Sequence, residues 1–118
     1  MTWPPELITA FSQALVIEPE NGTPKDRLIA AMLDAATRRI VWRADGDPAR
    51  VEGAMRSPYT PLGSVVGDGI DGRVKKLTLK GDRWKPAVDA YYDYMEKNAA
   101  AIFEAFEGEG EEYDDSLS

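Results

Sequence analysis

Proline and glycine punctuate this chain so closely that few stretches are long enough for a helix of several turns. Pro4-Pro5, Pro19 to Pro24, Gly46 to Pro48, Ser57 to Gly63, Gly67 to Gly72, Gly81-Asp82 and Pro86 leave three such windows, 6–18, 25–45 and 87–107. Proline removes a backbone donor and glycine weakens a regular element, so the fold must be assembled from short pieces around these windows. The expectation is a mainly α fold of the α+β kind.

The first window reads as a helix. Pro4-Pro5 suits a first turn, Glu6 complements the helix dipole, and Leu7, Ile8, Phe11, Ala14 and Leu15 recur at spacings of three and four. Pro19 and Asn21-Gly22 then end it. In Thr23-Pro24-Lys25-Asp26 a hydroxyl falls at the N-cap, proline at the first position and an acid at the third, a variant of the capping box. Leu28, Ile29, Met32, Leu33, Ala36 and Ile40 form the buried stripe of this second helix, with Arg38, Arg39 and Arg43 near its end. Together the two predict an antiparallel hairpin. The segment 40–43 is compatible with helix or strand, because Ile40-Val41-Trp42 is β-branched and aromatic.

Asp47-Pro48 caps a short third helix carrying Val51, Ala54 and Met55, and Ser57 to Gly63 reads as a loop. Val65-Val66 and Val74 to Leu79 flank a glycine-rich turn, which predicts a small β-ribbon around 64–80, with a ligand-contacting loop as the alternative. A long amphipathic helix should start near Lys85-Pro86. Its stripe is Val88, Tyr91, Met95, Ala99, Ile102 and Phe106, widened by Tyr92 and Phe103. At 118 residues, with 43% apolar and 30% charged composition, the chain suits a single domain, 1–107, followed by an acidic tail, 108–118. No apolar run approaches the ~20 residues of a membrane span.

The chain has no cysteine and no histidine, which removes disulfides, thiolate nucleophiles, the commonest zinc ligand and the commonest neutral-pH base. No enzyme, metal or cofactor is expected. Gly67-Asp68-Gly69-Ile70-Asp71-Gly72 matches G-x-G-x-x-G in letters only: Arg73 to Leu79, directly after it, reads as strand and not helix, so a plain turn is the better reading than a dinucleotide fingerprint. It lacks the Lys-Ser/Thr of a P-loop and the closing glutamate of an EF-hand. Glu52, Asp68 and Asp71 could in principle gather about a metal, but nothing in their spacing brings them together. Asn21-Gly22-Thr23 fits a turn better than a glycosylation site, since the first residues do not read as a secretory leader. A cytoplasmic location is expected.

Charge is sharply segregated. Residues 1–72 carry net −3, residues 73–85 carry six basic groups against one acid, and residues 86–118 carry one base against ten acids. The basic strip is Arg73, Lys75, Lys76, Lys80, Arg83 and Lys85, with Trp84 beside it. As a strand it would put Lys76, Thr78 and Lys80 on one face, where phosphates could be contacted and Trp84 could stack on a base. An edge protected by lysines is the simpler reading, because the whole chain is acidic. On the C-terminal helix, Asp89, Asp93, Glu96, Glu104 and Glu107 fall on one flank, and Lys97 is the only cation for them to pair with. Glu111, Glu112, Tyr113, Asp114 and Asp115 continue that charge into the tail.

Carboxylates on a rigid helix can occupy a groove that normally receives phosphates. In charge character this ending resembles the small acidic inhibitors, many from phages, that mimic nucleic acid to block restriction or CRISPR nucleases. The resemblance implies a noncatalytic partner of a basic protein surface, on a nucleic-acid-handling protein. The alternatives are a small assembly protein that forms homo-oligomers, as in phage morphogenesis, and direct nucleic-acid binding through 73–85.

Overall fold

The computed structural model describes residues 2–56 and 61–106. Its elements are α1 (Pro5–Ala14), β1 (Leu15–Pro19), α2 (Lys25–Arg43), a 3-10 turn (Pro48–Arg50), α3 (Val51–Arg56), α4 (Pro61–Gly67), α5 (Gly69–Gly72), β2 (Val74–Leu79) and α6 (Gly81–Lys97). A further helical segment, α7, covers 99–106. The mainly helical α+β expectation holds.

α1 and α2 form the expected antiparallel pair. Trp3 Nε1, at the start of α1, donates to Asp34 Oδ1 midway along α2 at 2.8 Å, while Lys25 Nζ at the start of α2 donates to the Ser12 carbonyl near the end of α1 at 2.6 Å. The whole predicted stripe of α2 is buried, and 40–43 is helical. Thr23 does not cap this helix: the cap is Pro24, whose carbonyl accepts from the amides of Arg27 and Leu28. Asp47 caps the 3-10 turn that leads into α3, its Oδ1 accepting from the Ala49 amide at 3.0 Å.

Leu15–Pro19 is a strand, where the sequence pattern prolonged α1 and then turned. Leu15 is buried in either conformation, so its spacing could not separate the two. Val65-Val66, expected to be half of the ribbon, instead lies in α4, and Pro61-Leu62-Gly63, expected as loop, starts that helix. Pro61 lies at the helix start, where its missing amide costs nothing; the rest of that predicted loop, 57–60, lies outside the described residues.

The ribbon therefore joins distant segments. β1 and β2 pair antiparallel, with Leu15 opposite Leu79, Ile17 opposite Leu77, Val16 opposite Thr78 and Glu18 opposite Lys76. Leu15 is buried and Ile17 and Leu77 half-buried, which defines the inner face; Val16, Glu18, Lys76 and Thr78 are exposed on the outer one.

α6 begins at Gly81, not at Lys85-Pro86. Lys80 is fixed by donating its amide to the Ala14 carbonyl, and its own carbonyl accepts from Arg83 and Trp84, so the helix nucleates as the ribbon ends. Pro86 consequently lies inside the helix. At Asn98 the backbone leaves helical geometry, and α7 restarts with the Ile102 amide donating to the Asn98 carbonyl. The buried stripe survives this break, except that Ala87 is buried and Val88 only half-buried.

The core is built on aromatic rings. α6 runs antiparallel to α1, since Phe11 meets Trp84 at one end and Trp3 meets Tyr94 at the other. Tyr91 lies between, 5.9 Å from Trp3 and 6.5 Å from Phe11, and Phe106 of α7 returns to Trp3 at 6.4 Å. One apolar cluster runs from Trp3 to Phe106.

Candidate interaction surfaces

Two charged surfaces stand at opposite ends of α6, and the helix itself explains their separation. Lys80, Arg83 and Lys85 surround its N-terminus, whereas Asp89, Asp93 and Glu96 occupy its C-terminal two thirds. Within the terminal turns, where the helix dipole acts, Arg83 and Glu96 oppose it while Asp82 and Lys97 complement it.

At ~100° per residue Asp89, Asp93 and Glu96 fall within roughly 60° of arc, directly away from Tyr91. All are exposed, as is Glu104 on α7. Asp93 pairs with Lys97 at 2.9 Å, an exposed contact worth about 0.3–0.5 kcal/mol. Asp89 and Glu104 make no ion pair with a described residue. Behind this face Tyr91 and Tyr92 are buried and Tyr94 half-buried, so the acids ride on an immobilised backbone. Glu107, Glu111, Glu112, Tyr113, Asp114 and Asp115 lie outside the described residues.

Tyr91 shows how firmly that backbone is held. Thr37 Oγ donates to the Leu33 carbonyl at 2.6 Å; having one proton, it must accept from the Tyr91 hydroxyl, 2.7 Å away. Burial pushes the Tyr91 phenol well above the ordinary tyrosine range.

The strip residues Arg73, Lys75, Lys76, Lys80, Arg83 and Lys85 are all exposed, and none pairs with a described acid. Trp84 differs: it is half-buried, its ring edge-on to Phe11 at 5.7 Å and 74°. The fold adds a cation that the linear pattern could not assign, Lys25 of α2. Burial lowers its pKa from the ordinary lysine value, and the nearby positive charge of Lys80 lowers it further. No sequence signal relates these two lysines, because their proximity depends on β1 carrying α2 back to the ribbon.

Some charges elsewhere are paired. Asp68 accepts from Arg39 at 3.3 Å, and Arg39 also donates to Ser64 Oγ at 3.1 Å. Among the described residues no group of His, Asp or Glu side chains could hold a metal ion. No described helix is long and apolar enough to cross a membrane. No family model, curated protein or solved structure matches the chain.

Proposed function

We propose that the protein is a noncatalytic interaction module whose acidic helical face docks on a basic surface of a nucleic-acid-handling protein in the cytoplasm, acting as an inhibitor by nucleic-acid mimicry. The observation that carries this reading is the alignment of Asp89, Asp93 and Glu96 on one exposed face of a helix whose opposite face is locked into the aromatic core. Rigid carboxylates attract a cationic groove at long range and need little ordering on contact.

The test replaces Asp89 and Asp93 with Asn and Glu96 and Glu104 with Gln. The variant should fold as the parent does, because the buried stripe is untouched. Against the partner recovered by affinity capture from the native host, association should slow and the salt dependence should flatten. Equal affinity and equal salt response in parent and variant would refute the docking role. A stable multimer at low protein concentration would instead favour an assembly function.

A further inference from the structure

The outward face of the β-ribbon presents Lys76, Thr78 and, just past the strand end, Lys80, spaced at about 6.7 Å along the chain. Arg83 comes next in the first turn of α6, while Lys25 of α2 is held by donating its Nζ to the Ser12 carbonyl. Lys76, Lys80 and Arg83 thus present like charges from β2 and α6, none of them in an ion pair with a described acid, with Glu18 across the ribbon from Lys76 and Asp82 beside Arg83 as the nearby carboxylates. Mutual repulsion makes such a cluster unfavourable unless a polyanion occupies it.

We infer that this face is a binding site for the phosphodiester backbone of nucleic acid, separate from the acidic face and independent of its proposed role. The lysines supply point charges and Thr78 a hydroxyl donor, all suited to phosphate oxygens. Trp84 is turned into the core against Phe11, so base stacking contributes nothing and the contact is made through the backbone. A two-stranded ribbon is also narrow enough to enter a duplex major groove. The chain's net charge of −7 does not forbid this. Lys80 and Asp89, the first acid of the acidic face, are separated by about 14 Å along the helix, nearly two Debye lengths at physiological salt. The acid nearest the site on its own face is Glu18, directly across from Lys76.

A fluorescent duplex of about 20 base pairs, with its single strand as the second arm, is titrated with the full chain at low salt. Binding should have a Kd on the order of 10⁻⁵ M and weaken about a hundredfold as salt rises from about 50 to about 200 mM, as expected for roughly four phosphate contacts. The triple variant Lys76→Gln, Lys80→Gln, Arg83→Gln should bind at least about tenfold more weakly, with a salt slope shallower by about three. Glu18→Gln should bind about threefold more tightly, a gain that general destabilisation cannot produce. Neutralising Asp89, Asp93 and Glu96 should leave duplex affinity within about threefold. Several outcomes would overturn the inference: binding to neither arm at low salt, equal affinity of parent and triple variant, or binding to phosphatidylserine vesicles without binding to either oligonucleotide. Because the acid-face and ribbon variants are separate, failure here leaves the acidic docking role standing, and the converse holds.

Discussion

Ile70 has a positive φ, 52°, in a β-branched residue, and the residues around it share that sign: Gly69 at 63°, Asp71 at 58° and Gly72 at 76°. The four residues form one left-handed turn, closed by the Gly72 amide on the Asp68 carbonyl and the Arg73 amide on the Gly69 carbonyl. This conformation costs about 1–2 kcal/mol for each residue with a Cβ. At Ile70 the cost is offset because the side chain is 1% exposed, and full burial is worth about 1.5–3 kcal/mol. Asp71 is exposed and has no such compensation. Asp71→Gly should therefore stabilise the protein by about 0.5–1 kcal/mol, whereas Gly72→Ala, which has open space for a Cβ, should destabilise it by about 1 kcal/mol. Paired urea melts measure both, and identical midpoints would show that the turn is not left-handed in solution. The spacing Gly69-Ile70-Asp71-Gly72 signalled a turn but not its hand, because that is imposed by the need to bury Ile70.

Among the elements, α2 is the one whose role was most completely legible. Its six-residue stripe reached the core intact, because helix hydrogen bonds close within four residues and leave only the apolar face to be satisfied elsewhere. Leu33 is fully buried, so Leu33→Asp should cost on the order of 3 kcal/mol or more and sharply lower the Tm. A variant that melts with the parent would mean that the stripe faces something other than this core. β1 was the opposite case. Val16 and Ile17 have strand propensity, but the ladder that makes them a strand is supplied by Thr78 and Leu77. With its partner so far along the chain, the pattern at Leu15 reads equally well as the last turn of a helix.

At the scale of the whole molecule, one buried proton ties the layers together. Tyr91 joins α6 to α2 through Thr37, and its phenol is held neutral far above the ordinary tyrosine range, chiefly by burial. In the unfolded chain that phenol ionises near pH 10. The folded state therefore binds more protons above that pH, and stability present below pH 10 should be lost as pH rises further. The expected signature is a cooperative alkaline unfolding in which Tyr91 ionises together with loss of helical circular dichroism. Tyr91→Phe should shift that transition upward relative to its own stability at neutral pH. Phenolate absorbance from Tyr91 appearing well before any loss of structure would contradict the assignment.

Local order and charge segregation belong to the sequence by itself. The three helical windows, their apolar stripes, the basic strip at 73–85 and the acids of the C-terminal quarter could all be read from spacing and composition, because each depends on neighbours a few residues away. Tertiary structure alone decided that Leu15–Pro19 is a strand, that β2 pairs with it and not with Val65-Val66, and that α6 starts at Gly81. It also decided that Lys25 stands beside Lys80. A strand satisfies its backbone groups only through another segment, and the nearest candidate in sequence, 65–66, lost to a distant one that could bury Leu15 and Ile17 as it paired. The cations of β2 directly precede α6 and the acids lie along it, so the length of the helix itself spaces the two blocks apart. What the linear charge pattern showed as adjacent blocks became two separate surfaces.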